Sequence, residues 1–235
     1  MNSLLLPLTV LLFLLFTSTT PSTSSKPPIS PTYPLLFSAH DTDKGSSNEI
    51  ETIAALPFIN FNFPTPEQEE AYINNEHYRN CTIAGIKLDS SNNIYLSLPR
   101  WKHNCPVTLA RYNPTTQKLD AYPSWEWNEN TRNASFGLQS VLGFEIDRND
   151  QMWILDQGKM YGEAAQNGTI KLLGWGLRKN VEKFRYHFSR EQAPLENSFL
   201  NDIVVDTVNH VAYISDSGLT VDETVAPIDP AIIYF

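Results

Sequence analysis

From residue 83 onward, apolar and polar positions alternate in self-similar units. Ile83-Ala84-Gly85-Ile86-Lys87-Leu88 leads into a polar run opened by Asp89, and the chain returns through Ile94-Tyr95-Leu96. This reads as strand, turn, strand. Val141 to Asp156 and Leu200 to Asp216 repeat the pattern, with turn-entry aspartates at Asp147 and Asp206 and return-strand aromatics at Trp153 and Tyr213. The aspartates are separated by 58 and then 59 residues. An aspartate at a strand end accepts bonds from backbone two residues on and seeds the turn, and the aromatic then packs on the sheet face. A unit that cannot bury its own faces must stack on copies of itself. Many short strands at this period predict an all-β protein, a β-propeller with blades of four strands. Val107–Tyr112 and Leu119–Tyr122 supply further strands for the first blade, and Ile170–Gly174 for the second.

The N-terminal third reads differently. Leu4 to Phe16 is nearly all apolar and is followed at once by Thr17-Ser18-Thr19-Thr20. A run this short suits a signal peptide better than a membrane span, although no Lys or Arg precedes it. The mature N-terminus is expected between Thr17 and Lys26. Ser, Thr and Pro then dominate, a composition that cannot bury a core. The expected division is a signal peptide over 1–20, a linker over 21–35 and a propeller-type domain over 36–235. Within that domain, Pro57, Pro64 and Pro66 break up the first part, and Glu67 to Tyr72 is the place for a short helical turn.

Charge narrows the partners. The chain carries 17 basic and 26 acidic residues, a net charge of −9, with no cluster of Lys or Arg. That argues against nucleic acid and anionic membranes, and it favours cationic ligands or serves solubility alone. Two cysteines, Cys81 and Cys105, form one disulfide in an oxidising compartment or remain two buried thiols. Sequons at Asn80, Asn133 and Asn167 fit a secreted, extracellular glycoprotein. The five histidines show no ligand spacing, and no nucleophile elbow or phosphate loop is present.

Four ordered segments resemble the yellow / major royal jelly protein family. They are Leu98-Pro99-Arg100-Trp101 with Cys105-Pro106-Val107-Thr108-Leu109; Tyr122-Pro123-Ser124-Trp125-Glu126; Gln139 to Phe144 with Leu155-Asp156-Gln157-Gly158; and Leu200-Asn201-Asp202 with Ile214-Ser215-Asp216-Ser217. Asn104-Cys105 departs from the family pattern. The resemblance implies a six-bladed propeller with a central channel, of which this chain shows about three blade cores. A partial propeller, incomplete as a stable closed monomer and prone to self-association as a half-propeller, is therefore expected. The resemblance further implies either a secreted binder of a small ligand, such as a biogenic amine, in the channel, or an enzyme. The enzyme readings are dopachrome conversion in melanin formation and lactonase-like, metal-dependent hydrolysis.

Candidate site residues follow from where inner strands begin and return strands end. Aligning the repeats by their aspartates puts Ala84, Leu142 and Asn201 at one position, and only Asn201 is polar. Asn201 and Asp202 are thus ligand contacts or a turn-forming pair. Asp156 and Asp216 close return strands and either cap loops or line a pocket mouth. Arg100 and Trp101 either lock a blade junction or touch ligand. No cofactor is expected; the Asn-led motif at Asn201 would fit a Ca²⁺ ligand, but Ca²⁺ takes about six to eight oxygens, and the early Glu of the lactonase pattern is not evident.

Overall fold

A computed structural model describes residues 56–129, 135–218 and 231–234. The signal peptide, the linker and the sequon at Asn133 lie outside the described residues.

The repeats fold as predicted into antiparallel sheets. The first blade runs in order β1 (Gly85–Leu88), β2 (Ile94–Ser97), β3 (Leu109–Asn113) and β4 (Lys118–Ala121). A short helix over Trp125–Asn128 follows it. The second blade is β5 (Val141–Ile146), β6 (Gln151–Asp156), β7 (Lys171–Gly176) and β8 (Val181–His187), again in sequence order. The third differs from the expected four strands: among the described residues it has three, β9 (Leu200–Asp206), β10 (Val211–Asp216) and β11 (Ala231–Tyr234). The inner strands β1, β5 and β9 are neighbours along an arc.

The aspartate turns work as the repeat predicts. Asp89 Oδ1 accepts from Ser91 N and Asn93 N, both at 2.9 Å, and Asp147 Oδ1 accepts from Asn149 N at 2.8 Å and Gln151 N at 3.1 Å. The other oxygen of each receives the polar tip of the aromatic six residues on: Tyr95 Oη at 3.3 Å and Trp153 Nε1 at 3.1 Å. Asp206 Oδ1 likewise accepts from Val208 N at 2.9 Å. Its turn is one residue longer, and its second oxygen is taken by Asn209 Nδ2 at 2.6 Å. Tyr95 and Trp153 are buried in junctions between blades, at 3% and 1% exposure, whereas Tyr213 is 48% exposed.

Three apolar layers hold the arc. Tyr95, Leu109 and Leu138 with Phe144, Met152 and Trp175 fill the junction between the first two blades. Trp153, Leu155 and Leu172 with Leu200, Ile203 and Ile214 fill the next. The segment before β1 covers the other side of the first blade with Leu56, Phe61 and Tyr72. Its anchor is the helix Pro66–Asn74, opened by a capping box between Thr65 and Gln68 with Pro66 at the first position. The Cys81–Cys105 disulfide, with Cα atoms 5.1 Å apart, ties this segment to the loop after β2.

Inner strands approach closely where the sequence has glycine. A Cβ on Gly143 would lie 2.6 Å from Asn201 O, and one on Gly85 would lie 3.2 Å from Leu142 O. The equivalent position in the third blade is Asp202.

Candidate functional site

The candidate site is the end of the arc where inner strands begin and return strands end. In β5 and β9 the pairing slips there: Val141 faces Asp156 but Phe144 faces Ile154, and Leu200 faces Asp216 but Asp202 faces Ser215. Leu142 and Asn201 sit in these bulges, which re-aim a side chain at a sheet margin. Asn201 and Asp202 are both exposed. Asn201 Nδ2 donates to Ser217 Oγ at 3.0 Å, Asp202 N donates to Ser215 Oγ at 3.1 Å, and Asp202 Oδ1 accepts from Ile203 N at 2.9 Å. At these inner-strand positions the third blade therefore presents an amide and a carboxylate, Asn201-Asp202, where the first two present Ala84-Gly85 and Leu142-Gly143.

Asp156 and Asp216 occupy one structural role. Asp156 is fully buried; Oδ1 accepts from Ser140 N and Gly158 N, both at 2.9 Å, and Oδ2 accepts from Gln139 N and Lys171 Nζ, both at 2.8 Å. Asp216 Oδ1 accepts from Phe199 N at 2.7 Å and Gly218 N at 2.8 Å, and Oδ2 accepts from Ser198 Oγ at 2.5 Å. Each carboxylate cross-links the entry of its inner strand to the chain leaving its return strand. Asp156 is enclosed with both oxygens in use, the geometry of the loop-capping alternative. Asp216 is half-buried.

Arg100 has the geometry of the blade-junction alternative. It is 1% exposed, and all five of its N–H donors end on backbone carbonyls. Nε donates to Cys105 O at 3.1 Å; Nη1 to Leu138 O at 2.9 Å and Gln139 O at 2.7 Å; Nη2 to Pro106 O at 2.8 Å and to Asn128 O. Those carbonyls come from the first blade, the short helix after it and the entry to the second. Burial pulls its pKa down to about 10, so the guanidinium is still a cation at neutral pH. Its neighbour Trp101 points outward, 45% exposed.

The loop mounted on Arg100 meets one from the second blade. Tyr161 N donates to Arg100 O at 2.8 Å, and the His103 and Tyr161 rings stack with centroids 3.8 Å apart. Lys159 Nζ then reaches Glu196 O at 2.6 Å in the stretch leading to β9, and desolvation lowers its pKa. Sequence reasoning missed Lys159, His103, Tyr161 and the buried Lys171. Lys171 had a signal: a lone cation opening the apolar run Leu172-Leu173-Gly174-Trp175. The stack had none.

Among the described residues no group of three or more His, Cys, Asp or Glu converges as a metal site. Asn80 is half-buried and Asn167 exposed. No helix among the described residues is long and apolar enough to cross a membrane.

A family model described as Major royal jelly protein matches residues 139–221. The chain is similar to a dopaminechrome tautomerase of Drosophila melanogaster, 24% identical over 169 residues, which cover 68% of this chain and 36% of the relative. It is similar to major royal jelly protein 7 of Apis mellifera, 23% identical over 192 residues, covering 72% of this chain and 40% of the relative. Major royal jelly protein 9 of the same organism is 29% identical over 115 residues, covering 43% of this chain and 24% of the relative. The chain thus spans two fifths or less of these relatives' length.

Proposed function

We propose that this chain, which belongs to the yellow / major royal jelly protein family, is a secreted binder of a small cationic amine held at the rim formed by Asn201 and Asp202. One observation carries the reading: the third blade places an exposed carboxylate with amide and hydroxyl neighbours where the other two blades place apolar or small residues. The net charge of −9 favours the approach of a cation. The apolar N-terminal run and the Cys81–Cys105 bond support passage through an oxidising, secretory compartment. An exposed ion pair contributes up to about 1 kcal/mol, so the carboxylate selects the cation and other contacts supply most of the affinity. Calorimetric titration with dopamine tests it. Asp202→Asn is expected to weaken binding about fivefold, with the weakening reduced at high salt; undiminished affinity in that variant overturns the assignment.

The similarity to a dopaminechrome tautomerase favours a second reading, catalysis of a proton shift. Lys159, on the same face and with its pKa lowered by desolvation, is the group suited to move that proton. The decay of dopaminechrome absorbance discriminates: acceleration by the chain that disappears in Lys159→Met makes the protein an enzyme, and decay at the uncatalysed rate leaves binding as the function.

A further inference from the structure

We infer that the Cys81–Cys105 disulfide decides the use of the sequon Asn80-Cys81-Thr82: a glycan reaches Asn80 only while Cys81 is a thiol, whereas Asn167 is glycosylated whether or not the bridge forms. This rests on the secretory route proposed above and not on the ligand. The middle residue of the first sequon is itself half of the bridge. Asn80 is half-buried and ends the 3-10 helix His77–Asn80, where Arg79 N donates to Glu76 O at 3.0 Å and Cys81 N to Tyr78 O at 3.3 Å. Cys81 and Cys105 are both buried. On one side of the bridge, Tyr72 Oη donates to Ile59 O at 2.9 Å and lies 3.6 Å from Cys81 Sγ. On the other, Arg100 Nε donates to Cys105 O at 3.1 Å. The bridge therefore fastens the sequon to the loop that Arg100 holds.

Glycosylation needs the opposite condition. The transferring enzyme takes a chain whose asparagine amide and whose hydroxyl two residues on are presented together on accessible backbone. Asn80 Nδ2 then bonds to C1 of a lipid-linked oligosaccharide, the bond from C1 to the lipid diphosphate breaks, and the amide gives up one proton. Presenting Asn80 and Thr82 in this way means undoing the turn at Cys81, a local opening. A closed bridge removes open conformations from the chain. Oxidation of the two thiols passes two electrons and two protons to a disulfide-bearing oxidant of the secretory compartment. Its sequence separation is 24, and both ends precede the second blade, so it can close while that blade is still being made. Asn167 differs. It is exposed, in a turn closed by Thr169 N on Gln166 O at 3.2 Å with Gly168 at φ 78°. Among the described residues, a Cβ added to Gly168 would meet only Ser135 Cβ, at 3.7 Å. The amide thus has room for a glycan in the folded chain. Thr169 is buried there, its hydroxyl donating to Gln166 O at 2.7 Å, so this sequon is used before the second blade closes, and no cysteine lies in it.

The experiment expresses the full chain in a secreting eukaryotic cell line and reads occupancy at each asparagine by mass spectrometry after enzymatic deglycosylation in heavy-oxygen water. It compares wild type, Cys105→Ser and Cys81→Ser. Both variants keep a sequon at Asn80 and lose the bridge. Occupancy at Asn80 is expected to be low in wild type and to rise about fivefold in each variant, with Asn167 unchanged. Brief dithiothreitol treatment of cells making wild type should raise it in the same way, a result that does not depend on any variant folding. Wild-type chains that do carry a glycan at Asn80 should have Cys81 and Cys105 open to alkylation. High Asn80 occupancy on chains with the bridge closed overturns the inference, and so does low occupancy that neither variant nor reductant raises. In both cases a glycan at Asn167 leaves the secretory reading standing. If Asn167 is bare and the chain stays in the cell, that reading falls and this one with it.

Discussion

The two junctions of the arc use different chemistry. Between the first and second blades, apolar packing is overlaid with polar cross-links. These are the five bonds of Arg100, the Lys87–Glu145 pair at 2.7 Å, Ser90 on Asp150 through both backbone and hydroxyl, and Val141 N on Thr108 Oγ1 at 2.7 Å. Between the second and third blades the apolar layer is similar, and among the described residues the polar links include Gln157 Nε2 on Leu200 O at 2.8 Å, Lys159 on Glu196 O and Ala165 N on Leu195 O at 2.9 Å. Val204 occupies the position equivalent to Lys87 and Glu145, and it is exposed. Burial of apolar area is non-directional, whereas satisfied polar networks fix one geometry. The first junction thus sets a rigid frame, and the second leans more on apolar burial.

The largest test of this contrast removes the lock. Arg100→Met leaves five backbone carbonyls without their donors, and each unsatisfied buried group costs about 1–3 kcal/mol. Partial relaxation brings the expected loss to on the order of 5 kcal/mol, at the extreme of single-substitution effects. Arg100→Lys keeps the charge but not the planar fork, and it should recover less than half of the loss. Gln157→Ala, the counterpart at the second junction, gives up one such bond and should cost about 1 kcal/mol. Urea unfolding of the three variants measures the ranking; equal costs for Arg100→Met and Gln157→Ala would erase the difference between junctions.

The second test compares matched caps. Asp156→Asn strips the buried Lys171 ammonium of its carboxylate, and breaking a buried pair costs about 3–5 kcal/mol. Asp216→Asn acts on a half-buried group whose observed partners are two backbone N–H groups and a serine hydroxyl, so about 1 kcal/mol is expected. Asp156→Asn combined with Lys171→Met should recover part of the loss, because it no longer leaves the ammonium buried without a counter-ion. A double variant as unstable as the single one would mean that the cap bonds, and not the ion pair, dominate at Asp156.

The repeat itself was legible in the sequence, because each element of the turn is encoded in side chains: the aspartate, the aromatic and the apolar alternation between them. The strand β8 was not, since Val181 to His187 carries Glu182, Lys183 and Arg185, as an exposed strand at a sheet margin requires. Arg100 stood out as a residue, but its role did not. Its acceptors are main-chain carbonyls, which any sequence supplies, and only the fold brings them together. The stack of His103 on Tyr161 joins equivalent loops of adjacent blades, 58 positions or one repeat apart, but these loops share no residue pattern, so the contact shows only in the fold. Asn201 could be singled out because the repeat supplied its own control: the same position is apolar in the other two units.

The smallest effect comes from a flaw inside the strong junction. Tyr122 packs edge-on against Tyr95, ring centroids 5.0 Å apart, in the layer between the first two blades. Its hydroxyl is buried and makes no hydrogen bond within the described structure. The indole N–H of Trp175 in the same layer is committed to Asn180 Oδ1 at 2.9 Å. Desolvation drives the Tyr122 phenol pKa upward, the direction expected for a group cut off from water. Phenylalanine would keep the ring contacts and remove the orphan hydroxyl, so Tyr122→Phe should stabilise the protein by about 1 kcal/mol, a rise of about 2–4 °C in Tm for a chain of this size. Tyr95→Phe is the natural control. Its hydroxyl donates to Asp89 at 3.3 Å, and losing that bond should cost about 0.5–1 kcal/mol. Opposite signs for two tyrosines that touch each other would show that the polar lock of this junction is complete at Tyr95 and incomplete at Tyr122. Destabilisation by Tyr122→Phe of 1 kcal/mol or more would instead reveal a bound water or other partner on that hydroxyl, and the first junction would then be satisfied throughout.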